Sequence, residues 1–172
     1  MLTLMLLRRL SAPAAAFVLS IALSGPIKGN TWQRVQPPDG GFAVLLPGTP
    51  EVSAEPINTP VGRATMHTYI VSNGSEGYMA SYTDALVPLD PQRALDGARN
   101  GALGKGRLIS ETRISLDGAP GRFFVIQIGE MQYTAKVYVV GRRLYQTATV
   151  TKGQGSLSPT AQSFLDSFRF TR

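Results

Sequence analysis

Residues 107–151 read RLISETRISLDGAPGRFFVIQIGEMQYTAKVYVVGRRLYQTATVT, and this stretch decides the fold class. It divides into four runs rich in β-branched and aromatic residues, 107–117, 121–129, 131–140 and 143–151. Turn pairs separate them: Asp117-Gly118, Gly129-Glu130 and Gly141-Arg142. Runs of this length, joined by short glycine-containing turns, predict an antiparallel meander. Phe124, Ile126 and Ile128 alternate onto one face of the second run, while Phe123 and Val125 take the other. Apolar residues on both faces predict a central strand covered on both sides.

Working outward, period-two patterns continue upstream. Residues 32–36 and 42–46 predict two strands joined by the turn Pro37-Pro38-Asp39-Gly40-Gly41, and Pro47-Gly48 stops the second. Proline presets φ, Asp39 can bond its own backbone, and glycine accepts the positive φ that follows. Residues 64–72 and 78–84 predict two further strands around a longer loop, 73–77. Strict alternation places His67, Tyr69 and Val71 on one face, and Tyr78, Tyr82 and Asp84 on one face of the next strand. Two start signals introduce helices. Asp90-Pro91 opens one that runs to about Leu103, with Leu95, Ala98 and Ala102 on one stripe. Gly97 and Gly101 weaken it by about 1 kcal/mol each relative to alanine, which implies tight packing or a helix held by tertiary contacts. Ser158-Pro159 opens the second, where Ala161, Phe164, Leu165 and Phe168 form an amphipathic face. The expected fold class is α+β, an antiparallel β-sheet flanked by a few helices.

The first residues carry a different pattern. Arg8 and Arg9 precede an apolar run from residue 10 to 23, and Ala22 and Ser24 offer small side chains for cleavage before Gly25. The reading is a signal peptide over 1–24, a flexible leader over 25–31 and one α+β domain over 32–172. A retained membrane anchor is the rival, but the run falls short of about 20 apolar residues and contains Pro13. The residues after Arg8-Arg9 favour the general secretory route over a twin-arginine one. The chain is therefore expected to be exported, periplasmic or secreted, with no stable membrane span after cleavage, or membrane-anchored if the signal stays. It has no cysteine, so neither a lipidated amino terminus nor a disulfide framework is open to it.

Cleavage would leave 148 residues, enough to bury about 68–70% of the unfolded surface. Of 17 Lys and Arg, Arg8 and Arg9 go with the signal, and the net charge falls from +6 to +4. The remaining basic residues form nothing longer than Arg142-Arg143 or the Lys105, Arg107 pair, so no nucleic-acid partner is expected.

Catalytic and cofactor constellations are scarce. His67 is the sole histidine, which excludes a histidine metal cluster, and the missing cysteines exclude a thiolate site. Asn73-Gly74-Ser75-Glu76-Gly77 lacks the glycine a nucleophile elbow needs before its serine. Gly97, Gly101, Gly104 and Gly106 miss both nucleotide-loop spacings, so no cofactor is expected. Asp84 and Asp90, flanked by prolines, read as turn and capping residues. One binding hypothesis stands: Tyr69, Tyr78 and Tyr82 beside His67 line a groove and stack on a sugar, a peptide or a pigment-like molecule. The alternative is that these tyrosines stiffen a half-buried sheet face.

Four segments together resemble the PsbP-like family. They are Gly41-Phe42-Ala43-Val44-Leu45-Leu46-Pro47, then the hairpin residues 118–125 and 140–146, then Ser163-Phe164-Leu165-Asp166-Ser167-Phe168. Their order is similar to that of the PsbP-like α/β/α sandwich over residues 32–171, and it also occurs in uncharacterised exported bacterial proteins. The resemblance implies a non-catalytic accessory or binding protein, as are the extrinsic subunits of the photosynthetic water-oxidising complex. It transfers no ligand set and no functional residue. The leading expectation is an exported accessory or binding protein of the cell envelope, meeting an unknown protein or small ligand. The alternatives are a small periplasmic hydrolase using His67 with a nearby carboxylate, and a membrane-tethered envelope structural protein.

Overall fold

The computed structural model describes residues 31–171 except 60 and 61; the signal peptide and most of the leader expected above lie outside the described residues. In chain order the strands are β1 (Gln33–Val35), β2 (Phe42–Leu46), β3 (Glu51–Thr59), β4 (Gly62–Asn73) and β5 (Glu76–Asp84). Helix α1 (Pro91–Leu103) leads into β6 (Arg107–Leu116), β7 (Ala119–Ile128), β8 (Met131–Val140) and β9 (Arg143–Lys152). Helix α2 (Pro159–Asp166) and β10 (Arg169–Phe170) close the chain.

Strands β3 to β9 form one seven-stranded antiparallel sheet in the order β3-β4-β5-β9-β8-β7-β6. A small sheet, β1-β2-β10, lies across one face of it beside α2. The expected meander is present, and so are both helices. Asp90 caps α1 by accepting from the Arg93 amide at 2.8 Å, and Ser158 caps α2 by accepting from the Ala161 amide at 3.1 Å.

Each face of the large sheet carries its own core. On one face α1 packs over Phe124, Ile126, Tyr133, Ala135 and Val137. On the other, Phe42, Val44 and Leu46 of the small sheet join Phe164, Leu165 and Phe168 over Tyr78, Tyr82, Tyr138 and Tyr145. Gly121 admits the second layer: a Cβ there would stand 2.5 Å from the Tyr138 ring and 2.7 Å from the Val137 carbonyl. The α1 face is also clamped by charge. Arg122 reaches Asp96 and Glu111, each at 2.6 Å, and Arg99 meets Glu111 at 2.9 Å.

Several expectations need correction. The stretch 51–59 is a strand that carried no periodic signal, because as an edge strand it has six consecutive exposed residues from Glu51 to Pro56. The loop expected over 73–77 is a tight turn: Asn73 pairs with Glu76, and Gly74 takes a φ of +61°. Phe168 lies beyond the end of α2 rather than on its stripe, yet it is buried in the same core. Gly97 is exposed, with open space where a Cβ would sit, so close packing does not explain it.

Candidate functional site

The pairing register brings the four aromatic candidates onto one sheet face. His67 lies opposite Tyr82, Tyr69 opposite Ala80, and Tyr78 opposite Val71. The His67 ring stacks on Tyr82, with centroids 4.4 Å apart and planes 4° from parallel. The Arg143 guanidinium sits 4.7 Å from the Tyr82 centroid. Arg143 also binds both oxygens of Asp84, at 2.6 and 2.8 Å, and donates to the carbonyls of Asp39 and Gly40 at 2.7 and 2.8 Å. This fork ties the turn between β1 and β2 to the end of β5.

The tyrosines are covered rather than displayed. Phe42 stands edge-on to Tyr69, Tyr82 and Tyr145, and Phe164 stands edge-on to Tyr78. Tyr78 is fully buried and its hydroxyl bonds Glu76, while Tyr82 is 4% exposed. Only His67 and Tyr69 remain partly open, at the margin of the cluster. Burial pushes the phenols of Tyr69, Tyr78 and Tyr82 above their ordinary range, so they stay protonated at neutral pH. Asp84 is the carboxylate diagonal to His67 in the register, and both of its oxygens are taken by Arg143. The geometry therefore equips His67 with an aromatic neighbour and no free carboxylate from this pair. Among the described residues no three His, Asp or Glu side chains gather as metal ligands.

A second site lies on the same sheet face, beyond the small sheet and beside the first turn of α2, whose Pro159 and Gln162 line it. Between β6, β7 and β8 and the loop leading into α2 runs an open groove of about 700 Å³. Phe123, Val125 and Leu157 supply apolar walls, and Gln127, Gln132 and Thr134 are buried on its floor. An irregularity in the β6–β7 pairing between Leu108 and Ser110 brings both Ile109 and Ser110 to the rim, a device that re-aims side chains beside sites. The loop is fastened from below. Gln132 donates from Nε2 to the Gly155 carbonyl at 3.1 Å and accepts the Gly155 amide on Oε1 at 3.2 Å. Gly155 has a φ of +151°, a conformation side chains disfavour.

The groove was missed in the sequence, although one signal for it was there. Face alternation along β7, β8 and β9 puts Phe124, Ile126, Tyr133 and Ala135 on the α1 side and Gln127, Gln132, Thr134, Thr147 and Thr149 on the other. A run of amides and hydroxyls on an otherwise buried face marks a place where the core is not simply filled.

No family model matches the sequence, and no curated protein matches it significantly. Among solved structures, the solution structure of cyanobacterial PsbP (CyanoP) from Synechocystis sp. PCC 6803 superposes with a TM-score of 0.52. The match covers 86% of this chain and 96% of that one, at 13% sequence identity. The chain has the PsbP-like fold. At this identity the likeness concerns architecture alone: a PsbP-like α+β fold of antiparallel sheets with two helices. Among the described residues no helix is long and apolar enough to cross a membrane, which says nothing of strands.

Proposed function

We propose that this chain is an exported, non-catalytic accessory or binding protein of the cell envelope, acting through the groove between β6–β8 and the loop before α2. The observation that carries this reading is the groove's lining. It is an open groove of small-molecule volume, and none of its side chains is an acid, a base or a cation. Acyl, phosphoryl and glycosyl transfer all need a positioned acid, base or activated nucleophile. Ser110 and Ser156 line the groove, but the sole histidine is on β4, five strand spacings from Ser110 on β6, roughly 24 Å. The PsbP-like architecture supports the same direction by analogy only.

Export rests on the charge and hydropathy pattern of residues 1–24, with a single α+β domain from residue 32 onward. Native mass spectrometry of the processed protein, recovered from the envelope fraction of cells, tests the reading. A small-molecule adduct is expected on the wild type and absent from Val125→Trp, which fills the groove. A bare mass for the wild type, or an adduct that survives Val125→Trp, defeats it.

A further inference from the structure

We infer that the groove takes an uncharged small molecule with an apolar, ring-sized body and at least one N–H or O–H donor, which it delivers to Gln127. The inference rests on the binding reading above and adds the chemistry of the ligand.

Three observations converge on this class. First, charge: the lining has no titratable side chain to pair with an ion, and placing an unpaired charge over buried amides is costly. Second, shape and polarity: Phe123, Val125, Leu157 and Ile109 give apolar walls to an open groove of about 700 Å³, a volume that suits compact organic ligands. Third, an unmet acceptor: Gln127 is 7% exposed and lines the floor, and its Oε1 has no hydrogen-bond partner, while its Nε2 is committed to the Gly129 carbonyl at 2.8 Å. Because Nε2 must donate to Gly129, the assignment of the amide is fixed and the open valence is an acceptor.

Of the four buried side-chain atoms without a partner among the described residues, Gln127 Oε1 is the one that belongs to the groove lining. Leaving a buried polar atom unmet is costly, so such a group favours any ligand that satisfies it. Gln132 spends both ends of its amide on Gly155 and is not free for the ligand. The terminal torsion of glutamine has broad minima, so a small turn of the Gln127 amide presents its oxygen to the groove.

A matched pair of probes tests the donor. 2-Naphthol and 2-methoxynaphthalene share an apolar body, and only the first can donate. Titrations of the 15N-labelled chain from residue 25 onward, followed by amide chemical shifts, should show 2-naphthol perturbing residues 123–127, 132–134 and 154–157. It should bind roughly tenfold more tightly than the ether, as expected when one acceptor is met or left unmet. In Gln127→Met, the two probes should bind within about twofold of each other. 2-Naphthoate, carrying a charge, should bind more weakly than 2-naphthol.

Equal affinities for the two neutral probes in the wild type overturn the inference. So does a tenfold gap that persists in Gln127→Met, a preference for 2-naphthoate, shifts lying outside the groove, or binding of cellobiose in place of both naphthalenes. Should Gln127→Met not fold, the wild-type pair decides alone. A mass-spectrometric adduct lost in Val125→Trp, together with an unselective probe pair, would leave the groove a binding site and reject only this ligand class.

Discussion

Arg122 shows what one residue does here. It is 5% exposed on the sheet face beneath α1, and it holds Asp96 of the helix and Glu111 of β6 together. A hydrogen bond from Gln92, with those from Arg122, holds the Asp96 carboxyl below its usual range. Burial would raise Glu111, but the hydrogen bonds and charges of Arg122 and Arg99 outweigh it and hold that carboxyl low as well. Both groups therefore protonate more readily in the unfolded chain than in the folded one. Their contribution is complete above the ordinary carboxylate range, about pH 4, and is lost as pH falls through the folded-state values. Arg122→Met should cost about 1–3 kcal/mol at pH 7, less than a fully buried pair because both carboxylates are partly exposed. The difference from wild type should shrink toward pH 3, and urea denaturation at both pH values checks it. A penalty independent of pH would assign Arg122 to packing alone. Nothing in the sequence announced this clamp, since Asp96, Glu111 and Arg122 meet only after β6 and β7 pair. Alternation did place His67 with Tyr69 on one face of β4 and Tyr78 with Tyr82 on one face of β5, and the pairing register makes these the same sheet face. It could not say that Phe42, from another sheet, would cover two of them.

The two helices and the missed strand separate what local pattern encodes from what it does not. Both helices begin where a capping side chain precedes proline, because that signal is local. Gly97 is a different case. Its neighbourhood is open and its backbone is helical, so Gly97→Ala should stabilise the protein by about 0.5–1 kcal/mol through backbone entropy, measured as a raised urea midpoint. No change or a loss would mean that the position is needed bare. Ser158→Ala should cost about 1 kcal/mol, since it removes the acceptor for the Ala161 amide at the start of a helix of only eight residues. Ser158 also touches the Tyr78 hydroxyl, and its neighbour Pro159 lines the groove. The same variant should therefore perturb amide shifts at 154–157, which a purely helical effect would leave alone. Strand β3 was illegible because edge strands need no hydrophobic alternation. Its charges and Pro56 instead discourage pairing with another chain.

At the scale of the whole molecule, one sheet serves as the wall of two cores. Strands β5, β8 and β9 contribute to both: Tyr78, Tyr138 and Tyr145 face the small sheet, while Met79, Val137 and Ala148 face α1. A strand cannot keep its register on one face and lose it on the other, because the side-chain period is two. The two cores should then unfold together. Trp32, the sole tryptophan, adjoins β1 and reports on the small-sheet side, whereas far-UV circular dichroism is dominated by the large sheet. Phe164 offers the lever: it is fully buried and stands edge-on to Tyr78 at 5.6 Å. Phe164→Ala should cost about 3–5 kcal/mol, and Trp32 fluorescence and circular dichroism should shift by the same amount in urea. If fluorescence moved to lower urea while the dichroism stayed in place, the small sheet and α2 would be a separable layer. The groove beside α2 would then open and close independently of the sheet that forms its floor.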